Sequence, residues 1–156
     1  MPQQQLPLDA TIELLTQETV GYLATCDPAG PPYIIPLNYL YHQGKIYFYC
    51  AKEGRKLANI AANNQVCFAV SRIDKAVFAP DACKCSTRYT SVLVFGTAGI
   101  VEDATQKAHL LNTLVAKFAA GRPFAPIDAQ AASRCTVVEI AIGSIHGKRN
   151  VDPEEG

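Results

Sequence analysis

The feature that most limits the fold is a pair of β-rich runs joined by a short turn. The runs cover residues 33–41 and 46–50, and the turn between them contains Gly44. This spacing is typical of a hairpin, whose strands are antiparallel, whereas parallel strands need long crossover connections. No regular alternation of strands and helices runs through the chain, so a parallel, Rossmann-type sheet is disfavoured.

Pro36 interrupts the first of these two runs. Because proline donates no hydrogen bond to a strand ladder, Pro36 indicates a sheet edge, a bulge or an opening of the strand. Strands are also predicted at 20–25, 66–70, 89–101 and 135–142. The longest of them alternates so that one face carries Tyr89, Ser91, Leu93 and Phe95.

Helical periodicity occurs in three segments. The first is predicted to begin with Asp9 as its N-cap, and the second lies between Glu53 and Asn64. The third follows the Glu102-Asp103 cap, carries apolar residues at intervals of three and four, and stops at Gly121. About six strands with two or three helices predict a mainly β fold, an antiparallel barrel with peripheral helices.

Length and charge set further limits. The 156 residues are expected to form a single domain over 1–156, with polar ends at 1–8 and 150–156. Fourteen basic and fourteen acidic residues give zero net charge, which argues against a nucleic-acid binder that relies on bulk electrostatics and favours self-association. No apolar run reaches the roughly 18 residues of a membrane span. With no secretion signal at the start, the expected location is the cytoplasm, away from membranes.

Standard catalytic signatures are absent: the chain has no G-x-G-x-x-G, P-loop, H-E-x-x-H or G-x-S-x-G motif. The six cysteines are interpreted as reduced thiols. Two of them, Cys83 and Cys85, lie in a predicted loop at 73–87. Their C-x-C spacing is not that of the common zinc sites, and no second pair follows it, so no metal ligand is assigned.

The segment around Gly54 is the first candidate binding site. A strand leads through Gly54 directly into a helix that begins with Arg55 and Lys56. Backbone N–H groups at a helix start, beside two cations, suit an anion such as a cofactor phosphate, although a solvated basic turn gives the same pattern. The broken strand at 36–39 and the Arg88-Tyr89-x-Ser91 stretch are two weaker candidates.

Taken in order, these motifs resemble the pyridoxamine-phosphate-oxidase-like superfamily of FMN-binding split β-barrels, and within it the nitroimidazole-resistance-related branch. The resemblance covers about residues 12–149. It is carried by GYLAT at 21–25, PLNY at 36–39, IYFYCAKEGRKLANI at 46–60, YTSVLVFGTA at 89–98 and IHGK at 145–148.

The resemblance implies a six-stranded antiparallel Greek-key split barrel that forms a homodimer, with two FMN sites at the subunit interface. It implies that the phosphate is held by Lys56 with Arg55 in support, and that Arg88 or Ser91 assists. It also implies that the flavin ring lies against Pro36, Leu37, Asn38, Tyr39, Tyr49, Cys50 and Ala51.

The implied function is an FMN-dependent oxidoreductase that passes electrons from NAD(P)H to a small electron-poor acceptor of the nitroaromatic or quinone class. In such a protein the cofactor does the chemistry, which accounts for the missing catalytic motifs. Tyr49 and His146 are the candidate catalytic side chains. Family members often have histidine where this chain has Tyr49, and tyrosine is the poorer proton source at neutral pH.

Two other functions remain open at this point. One is a non-catalytic flavin or haem binding protein of the same fold, such as a carrier, a sensor or a store, because fold alone does not determine activity. The other is a metal or thiol redox protein centred on Cys83 and Cys85.

Overall fold

The backbone is built around three long strands whose side chains alternate between a buried and an outward face. The computed structural model describes residues 3–150. In chain order the elements are β1 (Gln3–Gln5), α1 (Leu8–Gln17), β2 (Val20–Thr25), β3 (Tyr33–Asn38), β4 (Leu40–His42), β5 (Lys45–Cys50), α2 (Arg55–Ala62), β6 (Gln65–Val77), a 3₁₀ turn (Ala82–Lys84), β7 (Ser86–Ile100), α3 (Ala104–Ala119), α4 (Ala129–Ala132) and β8 (Thr136–Asn150).

All strand pairs are antiparallel and belong to one curled sheet. The strand order is β3-β2-β6-β7-β8-β5-β4, and β1 pairs with the far end of β8. The prediction of a mainly β, antiparallel split barrel with peripheral helices is confirmed. The described residues form eight strands, however, and not six. β1 has three residues, which is too short for a periodic pattern to be visible in the sequence, whereas β4 is the end of the predicted run at 33–41, separated from β3 at Tyr39.

Apolar side chains form two cores on opposite faces of the curled sheet. The first fills the concave side, and its largest fully buried side chains include Tyr39, Phe48 and Phe68. The second lies between α3, α4 and the outward side of β4, β5 and β8, where Tyr47 packs against Leu114 and its helical neighbours. A strand with two buried faces positions its residues firmly, and β5 is such a strand.

Pro36 lies within an edge strand and does not break it. β3 runs through Pro36, which pairs with Tyr22, and the break comes three residues later at Tyr39. β3 is an edge strand that pairs only with β2 in the described sheet, so the missing N–H of Pro36 costs no ladder bond. Of the three predicted alternatives, the structure therefore confirms the sheet edge.

The predicted loop at 73–87 is mostly strand. β6 continues to Val77 and β7 begins at Ser86, so the connection itself covers only residues 78–85. The two strands extend beyond the rest of the sheet as a hairpin, with a register shift at Asp74. The Asp74 carboxylate accepts hydrogen bonds from Arg72 and Thr90. The contact with Arg72 lies within β6, whereas the contact with Thr90 joins β6 to β7 in a segment whose sequence lacks an apolar alternation.

The helix starts differ in one place from the prediction. α1 begins at Leu8 with Pro7 as its N-cap, so Asp9 lies in the first turn and not at the cap. Asp103 is the N-cap of α3 as predicted, because its carboxylate accepts a hydrogen bond from the Gln106 N–H at 2.6 Å. The short helix α4 was not predicted. The polar ends expected at 1–8 and 150–156 fall partly outside the described residues, and Gln3–Gln5 pairs with β8.

Gly21 allows the closest approach inside the first core. The Phe68 ring lies over Gly21, and a Cβ at that position would overlap the ring. We expect Gly21→Ala to lower the free energy of unfolding by about 1–3 kcal/mol, since adding a methyl group to a filled site forces the core apart. Urea denaturation measures the change.

The control is Gly99→Ala in β7, where a Cβ meets nothing within 4 Å. This variant should differ from the parent protein by less than about 0.5 kcal/mol. Equal stability of the two variants would contradict the packing of Phe68 on Gly21.

Candidate functional site

The start of α2 combines uncapped backbone N–H groups with two basic residues. Gly54 is its N-cap, with φ at 136°, and no side chain caps the helix. The N–H groups of Leu57 and Ala58 donate to the Gly54 carbonyl at 3.0 and 3.1 Å, so the free helix-start N–H groups are those of Arg55 and Lys56. The first turn contains no acidic residue, which leaves the positive end of the helix dipole uncompensated.

One ring contact and one charge effect connect this helix start with the sheet. The Arg55 guanidinium stacks on the Tyr33 ring, 4.7 Å from the ring centre, at the beginning of edge strand β3. Lys56 lies close to Cys50 at the end of β5. Burial raises the pKa of the Cys50 thiol, and the Lys56 ammonium opposes that rise. The cationic helix start therefore lies near the beginning of β3 and acts on the last residue of β5.

A cavity of about 720 Å³ lies at the other end of β3. Asn38, the last residue of β3, and Tyr49 of β5 form one wall. The other walls come from α3, α4 and the segments beside α4: Leu111, Leu114, Val115, Phe118, Ala119, Ile127, Ala131, Arg134 and Cys135. Six residues of extended strand span about 17 Å between Tyr33 and Asn38. One strand edge thus connects the helix start with the cavity.

The position of Tyr49 follows from the alternation of β5. Ile46, Phe48 and Cys50 point into the first core, whereas Tyr47 and Tyr49 point outward. The helices cover Tyr47, whose hydroxyl donates to Glu139 at 2.8 Å. Burial and the neighbouring Glu139 carboxylate raise the pKa of Tyr47 to about 12, so this phenol is not a proton source at neutral pH. Tyr49 lies beyond the covered region and stays 48% exposed.

Several residues expected at the flavin ring have side chains that point away from the cavity. Tyr39 is fully buried, and its hydroxyl donates to the Leu15 carbonyl at 2.7 Å. Leu37 and Cys50 pack in or against the first core. Only backbone atoms of these three residues can face a ligand on the outward side. Period-two alternation instead leaves the side chains of Pro36 and Asn38 exposed, and Ala51 is exposed after the end of β5.

Arg88, Ser91 and His146 lie in another part of the sheet. Cys50 pairs with Thr136 at one end of β8, whereas Thr90 pairs with Arg149 at the other end. Thirteen residues of strand separate these positions, or about 40 Å along β8. The structure therefore does not bring Arg88 or Ser91 to Lys56 within one protomer. His146 is exposed and faces the Phe95 ring edge-on.

Sequence reasoning missed the cavity walls from α3 and α4. The one available signal was Phe118, a large apolar residue on the predicted amphipathic helix that remains 38% exposed. Among residues 3–150, no group of three or more His, Cys, Asp or Glu side chains is arranged to hold a metal ion. Cys83 is exposed within the 3₁₀ turn, and all six cysteines are free thiols. No helix in this described part is both long and apolar enough to cross a bilayer.

A profile of the pyridoxamine 5'-phosphate oxidase family matches residues 7–149. The chain belongs to this family. No curated protein matches it significantly. A candidate 5-nitroimidazole antibiotic resistance protein from Bacteroides thetaiotaomicron is similar in structure, with a TM-score of 0.81 and 22% identity over 96% of this chain and 89% of that one.

Two further similar structures belong to proteins that are described by the ligands they bind. A FAD-binding protein from Mesorhizobium loti matches with a TM-score of 0.73 and 22% identity, over 97% of this chain and 100% of that one. A FAD and heme binding protein from Mycobacterium smegmatis matches with a TM-score of 0.81 and 20% identity, over 98% and 77% of the two chains. At identities of 20–22%, these structures show that this chain shares their fold.

Removing Lys56 should raise the pKa of Cys50. Burial already disfavours the thiolate of Cys50, and the Lys56 ammonium is the charge that opposes this effect. In Lys56→Ala, we expect alkylation of Cys50 by iodoacetamide to begin at a higher pH than in the parent protein, because the thiolate is the reactive form. Mass spectrometry of the Cys50 peptide across a pH series measures the shift.

Lys52→Ala is the matched control, because it removes a nearby exposed lysine that does not act on the Cys50 thiol. Its alkylation profile should match that of the parent. A Cys50 profile that is identical in both variants would show that Lys56 does not approach the thiol.

Proposed function

We propose that this protein binds FMN and transfers electrons from NAD(P)H to a small electron-poor acceptor of the nitroaromatic or quinone class. The observation that carries this proposal is the connection between an anion-binding helix start and a cavity. The edge of β3 runs from Arg55 at one end to Asn38 at the other. A cofactor with one phosphate and one flat ring system suits this arrangement.

The residues at the two ends fit such a cofactor. Gly54 leaves open space at the helix start, since a Cβ there meets nothing within 4 Å. Arg55 and Lys56 supply charge for one phosphate group, which favours FMN over a dinucleotide. At the other end, the Asn38 amide offers hydrogen bonds to a polar ring edge, and Tyr49 offers an aromatic face.

Bound FMN would supply the redox chemistry, by taking up two electrons with a proton from the nicotinamide and delivering electrons to the acceptor. The chain's own residues bind, orient and shield. The apolar side chains of α3 limit the access of water to the cavity. Tyr49 is the candidate for holding a proton near the ring, because it is the cavity's hydroxyl group, whereas His146 lies elsewhere on the sheet.

A haem-binding role is the second candidate, because one structural neighbour is described as a FAD and heme binding protein. The cavity lining contains neither histidine nor methionine, the common axial ligands, and Cys135 supplies its only thiol. The visible spectrum of the purified protein separates the two candidates: a flavin spectrum with released FMN supports the proposal, and a Soret band supports the alternative.

We also propose that two copies associate through one outward face of the sheet. We call this surface the outer apolar face; it consists of Tyr22, Ala24, Cys67, Ala69, Leu93 and Phe95. These residues form two cross-strand rows on β2, β6 and β7, and none of them is charged. Exposed apolar patches of this kind are typical of interfaces. A second copy is the proposed occupant, because the chain has no net charge to oppose its own association.

The double substitution Arg55→Ala with Lys56→Ala should weaken FMN binding. Each lost charge-assisted contact costs about 1–2 kcal/mol, or about 5–30-fold in Kd. Riboflavin, which lacks the phosphate, should bind the double variant and the parent protein equally well. Fluorescence titration with both flavins measures the two affinities. Unchanged FMN affinity, or an equal loss for riboflavin, would refute a phosphate site at the start of α2.

The substitution Phe95→Glu should convert the dimer to monomers, because it places like charges on both copies of a symmetric apolar interface. Sedimentation at micromolar concentration measures the mass. The control Ile100→Glu changes an exposed apolar residue of the same strand that lies outside the outer apolar face, and it should leave the dimer intact. A parent protein that is monomeric would disprove the association.

A further inference from the structure

The wall of the cavity opposite Asn38 and Tyr49 has a composition of its own. It consists mainly of aliphatic side chains of α3, among them Leu111, Leu114 and Val115, together with the ring of Phe118. A volume of about 720 Å³ with an apolar lining and a few polar groups lies in the range of small-molecule sites. The phosphate site proposed above makes no use of this wall.

Two aromatic rings from different elements line the cavity. Tyr49 comes from β5 and is 48% exposed, and Phe118 comes from α3 and is 38% exposed. Large side chains in a core normally bury most of their surface, so these rings leave unused apolar area facing the same space. Aromatic faces stack well on flat, conjugated molecules. The pair therefore favours a planar ligand over a branched aliphatic one.

Arg134 is the only charged residue in the lining of the cavity as described. It follows α4, and its backbone N–H donates to Ala131 at 3.1 Å, which anchors it at the rim. Within residues 3–150, no carboxylate forms a salt bridge with its side chain. Arg134 is exposed to solvent, and a charge-assisted pair between its guanidinium and a carboxylate is stronger than a hydrogen bond between neutral groups.

From these features we infer that the cavity binds a planar aromatic carboxylic acid. The ring packs on the Phe118 side of α3, towards Tyr49 in the protein without FMN and towards the flavin that covers Tyr49 when FMN is bound, and the carboxylate pairs with the Arg134 guanidinium. Binding requires no cofactor; the further role of this acid as the electron acceptor rests on the proposed function. The proposal thus narrows the acceptor from any electron-poor aromatic to one that carries an acidic group.

The test compares 4-nitrobenzoate with 4-nitrobenzamide, which has the same shape without the charge. Isothermal titration calorimetry on the purified protein, as isolated and after FMN has been added, gives both affinities without turnover. We expect the acid to bind at least about tenfold more tightly than the amide in the parent protein, in line with one charge-assisted contact. Arg134→Gln should remove this difference and leave amide binding unchanged.

Arg122→Gln is the matched control, because Arg122 is an exposed arginine near the end of α3 that does not line the cavity. This variant should keep the preference for the acid. A preference that is absent in the parent protein, or that survives Arg134→Gln, overturns the inference. An equal loss in both arginine variants does the same, since it would reflect general charge and not a site.

Filling the cavity provides an independent test. Val115→Trp, and Ala131→Leu as a smaller change that is less demanding on folding, should weaken binding of both probes by at least about tenfold. Circular dichroism confirms that each variant is folded. Unchanged binding in a folded variant overturns the inference. A filled variant that becomes monomeric but still binds both probes also overturns the inference. That result would mean that a second copy, and not the acid, occupies the cavity.

These measurements separate the inference from the proposed function. The proposed function is refuted if FMN does not bind or if no acceptor is reduced with NAD(P)H. Neither result contradicts the acid site, which the calorimetry tests separately. Turnover of neutral and acidic acceptors with equal KM, and with no effect of Arg134→Gln, would support the oxidoreductase and overturn the acid site.

Discussion

Burial of Tyr39 is the interaction on which the rest of the arrangement depends. Its ring packs edge-on against Phe68 with the centroids 4.9 Å apart, and its hydroxyl donates to the Leu15 carbonyl. The Lys117 ammonium lies over the other part of the ring, 4.5 Å from its centre. Because Tyr39 turns inward, β3 ends and β4 begins on either side of it. Asn38 is thereby left at a strand end, facing the cavity.

Lys117 connects Tyr39 with the helices α1 and α3. Its ammonium donates to the carbonyls of Glu18 and Tyr39, so it joins α3 to the end of α1 and to the break between β3 and β4. Burial lowers the pKa of Lys117, and the nearby Glu18 carboxylate opposes this shift. Two carbonyl acceptors and the face of the Tyr39 ring stabilise the ammonium in this half-buried position. The position of the cavity wall is therefore coupled to the same residue that ends β3.

The sequence allowed the class of fold, the hairpins and the helix that begins after Gly54 to be predicted, because each depends on a local pattern such as a turn or an alternation. It did not reveal which way Tyr39 points. An aromatic residue after a proline-containing strand suits a core and a ligand site equally well, and only the packing of Phe68 distinguishes them. The cavity could not be predicted either, since its walls come from segments more than 60 residues apart, such as Asn38 and Leu111. The distance of Arg88 from Lys56 likewise follows from strand register, which composition does not encode.

The segment between β7 and β8 has an evolutionary consequence. It contains α3 and α4, and it supplies nearly the whole wall of the cavity without contributing a strand to the sheet. The helix start at Gly54 belongs to a different stretch of the chain. Mutations at cavity-lining positions of this segment other than the core residues Leu111 and Leu114, such as Val115 and Ala131, can accordingly reshape what the cavity accepts without changing Lys117 or the helix start. In a scaffold divided in this way, single substitutions in one segment can change the ligand while the rest of the fold keeps its packing.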